Sequence, residues 1–242
     1  MSSTSGANSP SRTLSQALLN TALLDAAGLN LQAVFNLDGL PPEIYEQLAA
    51  GPEWRQLILV GHGGRAMWDA VKASGIASAD PIDDFTVRTI EQWFVREYPE
   101  QRYQIVYPGS RSVGLQALGK LTGWHHDSPF MVGVNEQWGS WYAYRAAVLA
   151  DTHFRPTPAV AGVSPCVTCR MQPCISACPA GALAGGEFSL EKCIAWRRQP
   201  DSSCRTSCLA RLACPVASEH RYPGEQIRHS YAISMRMIEQ YY

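Results

Sequence analysis

Apolar residues recur at three- and four-residue intervals through Leu14, Leu18, Leu19, Ala22, Leu23 and Ala26, and Gly28 follows them. That spacing predicts an amphipathic helix halted by the glycine. The next stretch, LNLQAVFNL, alternates apolar with polar positions and predicts a half-buried strand. Pro41 and Pro42 open a short helix through Ile44, Tyr45 and Leu48, since proline's fixed φ suits the first helical turn. Gln56 to Val60 (QLILV) predicts a strand that ends at Gly61-His62-Gly63-Gly64, with a helical pattern following through Met67, Trp68 and Val71. Such a turn can cradle a phosphate on backbone amides. It lacks, however, the Lys-Ser/Thr of a P-loop and the full spacing of a dinucleotide fingerprint.

Asp80-Pro81 begins a longer helix whose apolar face, Phe85, Ile90, Trp93, Phe94 and Val95, ends near Pro99. Tyr103 to Tyr107 (YQIVY) predicts a strand, Val113 to Leu121 a small helix, Phe130 to Val134 a strand and Trp141 to Leu149 a longer strand. The loop Asn135 to Gly139 joins the last two as a hairpin. Strands and helices mix without strict alternation, so residues 13–157 are expected to form an α+β domain around one mixed sheet. Pro156, Pro158 and Ala161-Gly162 mark a linker into a second unit, residues 158–242. Residues 1–12, with almost no apolar content, are expected to be a flexible tail.

With 46% hydrophobic and 17% charged residues over 242 positions, the chain can bury a sizeable core, which excludes wholesale disorder. Its 20 basic and 21 acidic side chains leave a net charge of -1, so no global field recruits nucleic acid or an anionic membrane. Neither is expected as a partner. No apolar run approaches the roughly 18 residues of a spanning helix, and the Ser-rich start lacks a signal-peptide pattern. A soluble, cytoplasmic protein is expected.

The cysteines change this picture, because all eight lie between Cys166 and Cys214. In a reducing compartment such a concentration points to metal or cluster ligation before disulfides. The order is Cys166-x2-Cys169-x4-Cys174-x3-Cys178-Pro179, then Cys193-x10-Cys204-x3-Cys208-x5-Cys214-Pro215. Each half ends in Cys-Pro, echoing bacterial ferredoxins, where the fourth cysteine before a proline reaches across to the other cubane. That rule assigns one [4Fe-4S] cluster to Cys166, Cys169, Cys174 and Cys214, and a second to Cys178, Cys193, Cys204 and Cys208. The x4 gap and the irregular second half depart from the ferredoxin plan. Eight thiolates also suit two structural zinc sites of four cysteines each. An oxidised cubane with four thiolates carries about two negative charges, which Lys192, Arg197, Arg198, Arg205 and Arg211 are placed to balance.

Two stretches together carry a family resemblance. The segment GWHHDSPFMVGVNEQWGSWYAYRAAVLAD (Gly123 to Asp151), with the eight-cysteine region and its EKCIAW around Cys193, resembles epoxyqueuosine reductase and the reductive dehalogenases. The front portion, from GHGGRAMWDAV through DPIDDFTVRTIEQWF to YQIVYPG, looks like the CblC-type cobalamin-processing proteins. The resemblance implies a nitroreductase-like α+β domain that holds cobalamin, and a small ferredoxin-like domain whose clusters deliver electrons to cobalt. It further implies an electron-donor partner such as a ferredoxin or flavodoxin, and a small-molecule substrate or cobalamin itself. In the reductases an aspartate near the end of the YQIVY-like strand donates a proton, whereas Tyr107 stands at about that register here. A phenol is the weaker acid, with a reference pKa of about 10. The resemblance places Gly139, Ser140 and Trp141 beside the corrin, Arg145 toward a thiol co-substrate or cofactor, and His125 and His126 on the pocket wall. Other readings of the same residues are FMN in place of cobalamin, an electron carrier with no substrate of its own, and a zinc-stabilised binding protein.

Overall fold

All eight residues of strand β2 (Gln56–Gly63) are buried, because helices cover both faces of the sheet it crosses. Successive side chains point to opposite faces, so Ile58 and Val60 enter one core with Leu24, Met67, Ile90, Trp93 and Val148. Leu57 and Leu59 enter the other, with Ile44, Leu48, Leu118, Ala147 and Leu149. Strand β1 (Leu31–Asn36) pairs with β2, β2 with β4 (Tyr142–Ala150), and β4 with β3 (Tyr103–Tyr107), giving the order β1-β2-β4-β3. The computed structural model describes residues 17–242, so the expected tail, 1–12, and the start of the first predicted helix lie outside the described residues.

The helices on the first face are α1 (Ala22–Ala26), α3 (Ala66–Ala73) and α4 (Pro81–Glu97), and those on the second are α2 (Pro42–Leu48) and α5 (Leu115–Thr122). Every hydrogen-bonded strand pair is antiparallel, in place of the expected mixed sheet. The reason is an insertion: β2, α3, α4 and β3 make a crossover between strands of like direction, but β4 lies between them. Two further expectations change. The first helix is shorter than its periodicity suggests, because Ala17 forms a bridge to Phe154 and Asn20 receives the Trp93 indole N–H at 2.8 Å. The predicted strand at Phe130–Val134 does not form. Met131 takes a left-handed φ of 62°, and only Val134 bridges, to His126.

The predicted glycine turn after Val60 is instead strand as far as Gly63. A Cβ at Gly63 would sit 2.2 Å from the Trp138 ring, so the missing side chain lets that indole lie flat on the strand. Beyond the sheet come three single-turn helices, α6 (Pro165–Thr168), α7 (Pro173–Ser176) and α9 (Leu209–Leu212), and the longer α8 (Leu190–Arg198) and α10 (Gly224–Tyr241). The start of α10 is tied to α3, where the Trp68 indole donates to Glu225 at 2.9 Å. Its far end packs Met235 and Ile238 on Ile194 of α8. Among the described residues no helix is long and apolar enough to cross a membrane.

Candidate metal centre

All eight cysteines are free thiols, and electrostatic contact sorts them into two sets. Burial raises the Cys174 thiol pKa, and the neighbouring Cys214, Cys166 and Cys169 raise it further. Burial likewise raises Cys193, whose other thiol neighbours are Cys208, Cys178 and Cys204. Cys174 and Cys214, 40 positions apart in the sequence, are thereby electrostatic neighbours. Short proline-led helices hold the first set: Pro165 and Pro173 start α6 and α7, each with a cysteine next to the proline. The Ser164 hydroxyl accepts from the Cys166 amide at 3.3 Å and fixes the start of α6.

The second set lines a cavity of about 280 Å³ with Phe130, Trp196, Arg197 and Tyr231. Arg197 is buried there and donates to the Cys204 carbonyl at 3.0 Å, the Ser234 hydroxyl at 2.9 Å and the Tyr231 carbonyl at 3.2 Å. Burial raises Cys208, while the Arg211 backbone N–H pulls it down. Of the five basic residues expected to balance charge, Arg197 and Arg211 are buried, Lys192 and Arg198 are exposed, and Arg205 pairs with Glu239 at 3.0 Å. Among the described residues no three or more His, Cys, Asp or Glu draw together closely enough to hold a metal ion.

Arg211 joins this segment to the sheet. Its guanidinium donates to the Ser140 carbonyl and, at 3.4 Å, to the Ser140 hydroxyl, and lies 4.6 Å over Trp141 and 5.2 Å over Tyr222. Ser140 and Trp141 are therefore buried beneath the cysteine segment. Gly139 has φ 57°, and a Cβ there would strike the Val216 carbonyl at 2.1 Å. The turn is thus a seat for the backbone around Cys214.

Arg145 sits on the neighbouring strand β4, half-buried, and its Nε donates to His62 Nδ1 at 2.9 Å. It makes no ion pair among the described residues, although Asp83 and Tyr107 lie within its electrostatic reach. Burial, then Asp83, raises the Tyr107 pKa, so this phenol stays protonated and is a weaker acid than a free tyrosine. His125 stands apart, between the Tyr144 hydroxyl at 3.2 Å and Asp127 at 3.4 Å. Burial lowers its pKa, and burial pushes Tyr144 up to about 12. His126 is held by its backbone to Val134. The structure brings Arg145 and Tyr107 together and leaves the histidine pair on the α5 side. The sequence reading named Arg211 only as a charge-balancing cation and missed its seat on Ser140, and it missed the roles of His62 and Gln226, because these partners lie 71 to 164 residues apart.

These features define an α+β protein whose cysteine-rich end, with two sets of four thiols, is seated on one end of an antiparallel sheet. No family model matches the chain, and no curated protein matches it. Among solved structures, its fold is similar to that of epoxyqueuosine reductase from Streptococcus thermophilus, with a TM-score of 0.55 and 12% identity over 84% of this chain and 66% of that one. It is similar too to an epoxyqueuosine reductase bound to a tRNA-Tyr stem loop, with a TM-score of 0.54 and 13% identity over 86% and 68% of the two chains. The chain therefore spans about two thirds of the length of these neighbours. A looser likeness, with a TM-score of 0.45 and 13% identity, covers 92% of this chain and 95% of the C. elegans B12-trafficking protein CblC.

Proposed function

We propose that this chain is an iron-sulfur reductase that passes electrons through two [4Fe-4S] clusters to a cobalamin held between the sheet and the cysteine segment. One observation carries the reading: two sets of four free thiols packed against one end of a sheet whose fold is like that of epoxyqueuosine reductase. Cys166, Cys169, Cys174 and Cys214 would hold one cluster, and Cys178, Cys193, Cys204 and Cys208 the other. The donor chemistry fits, since thiolates are the ligands of such clusters and buried cations and N–H groups temper their charge. Four thiolates are also the ligand set of a structural zinc site, so metal and sulfide content separates the two chemistries.

Bound there, the clusters supply one-electron transfer and the corrin a cobalt centre able to accept it. The chain's own residues supply the rest. Arg145 offers two terminal guanidinium nitrogens to a corrin amide or carboxylate. Buried polar atoms without partners, Trp141 Nε1 and His229 Nε2, are of the kind that a ligand rich in amide groups would satisfy. Tyr107 holds its proton at neutral pH, because burial and the nearby Asp83 raise its pKa. The domain division at residues 157/158 belongs to this reading, as does an electron donor of the ferredoxin or flavodoxin type. A protein purified without oxygen is expected to contain about eight irons and eight sulfides per chain. Hydroxocobalamin titration is then expected to change the cobalamin spectrum. Zinc without sulfide would end the cluster reading, and an unchanged spectrum the cobalamin reading. The tRNA on one neighbour makes a tRNA stem loop a further titrant, which the chain's charge argues against.

A further inference from the structure

His62 is fully buried at the end of β2, and both its ring nitrogens face side chains from other elements. Arg145 Nε is always a donor, so at 2.9 Å it requires a bare lone pair on His62 Nδ1. A neutral imidazole then carries its proton on Nε2. Burial first, then the charges of Arg145 and Arg211, hold the ring's pKa well below its ordinary value and keep it neutral. The Nε2 proton needs an acceptor, and the side-chain amide of Gln226, from α10, is the group beside it at 3.4 Å. Gln226 is itself fully buried, and its Oε1 has no other partner. As the side chain is placed, Gln226 Nε2 faces His62 Nε2, two donors opposite each other, and exchanging the amide's oxygen and nitrogen sets Oε1 on the His62 proton and gives both groups a partner. Tyr222 stacks on the ring, with centroids 5.4 Å apart.

We infer that His62, fixed by Gln226 of the C-terminal helix, is a positioning residue that aims the Arg145 guanidinium without neutralising it. An acid at this place would take Arg145 as an ion pair and quench its charge. An imidazole uses only the Nε–H, so the two terminal nitrogens remain available to an oxygen-rich ligand. The consequence is a link between α10 and the ligand side of β4. Only the identity of that ligand rests on the cobalamin reading above, and the ring's tautomer and its grip on Arg145 do not.

The test uses nitrogen-labelled full-length chain with its metal content intact. NMR is expected to show His62 bare at Nδ1 and protonated at Nε2, with a slowly exchanging Arg145 Nε–H. His62→Asn, whose oxygen replaces the Nδ1 acceptor, is expected to keep that slow exchange and to bind hydroxocobalamin within about threefold of the parent. His62→Leu is expected to lose the protection and to bind about ten times more weakly. Gln226→Met, which leaves both His62 and Arg145 in place, is expected to speed the Nε–H exchange. A proton on Nδ1, or an Arg145 signal equally protected in His62→Leu, overturns the inference. If the parent chain ignores hydroxocobalamin, the cobalamin reading fails, and the tautomer and exchange results still decide the role of His62.

Discussion

The sheet and the cysteine segment are stabilised by different means. Around β2 and β4 two apolar clusters fill both faces, with Leu57, Ile58, Leu59, Val60, Val148 and Leu149 all at 0% exposure. The cysteine segment has no comparable core. Its main cluster is Phe130, Cys174, Leu183, Ala210 and Cys214, so two of five members are ligand candidates. Three of its helices are single turns, and Val163, Val167 and Met171 stand 65%, 75% and 88% exposed beside the first thiol set. On the proposed cluster reading, a segment with so little buried apolar surface is expected to depend on its metal for stability, as small metal-binding domains do.

The most direct way to break that comparison is to remove the metal. Chelating bound iron is expected to abolish hydrogen-exchange protection across residues 165–215 while β2 and β4 keep theirs. Uniform protection before and after would show that the segment folds on packing alone. In the sheet, Ile58→Ala is expected to cost about 2–5 kcal/mol, since it deletes a large side chain from a filled core. Denaturant unfolding measures this, with a much smaller effect expected from the exposed Val167→Ala.

Arg211→Ala sharpens the comparison at the joint, where the side chain is buried and charged groups donate to Ser140. A loss of about 2–3 kcal/mol is expected, with the two regions melting separately in calorimetry. The smallest effect is the response to acid. His62 is neutral in the folded chain, and its folded pKa lies well below 6.5 because of burial. Below the ordinary pKa of about 6.5 the unfolded chain takes up a proton that the folded chain refuses. Stability is then full above that value and falls as pH drops beneath it, by at most about 1.4 kcal/mol per pH unit from this group. Thermal melts from pH 7 to pH 5 test it, and His62→Asn is expected to flatten the slope.

Much of this was legible in the chain. Apolar runs mark β2 and β4, and Asp80-Pro81 marks the start of α4 at the position observed. Cysteine spacing with paired Cys-Pro endings raised the question of metal ligation, because close cysteines and a proline-led turn are local features. Strand direction was not legible. A helix between two strands permits a parallel neighbour, and only the later arrival of β4 between β2 and β3 made every pair antiparallel. Nor could periodicity foresee the break at Met131, whose left-handed φ accompanies the packing of Phe130 among the cysteines. Residue type and short spacing alone determined where β2, β4 and α4 lie and that eight thiols gather near the chain's end. Only the tertiary structure decided that Arg145 meets His62, His62 meets Gln226, and Arg211 meets Ser140. Those contacts join residues 71 to 164 positions apart, and long-range partners are chosen by how whole layers pack.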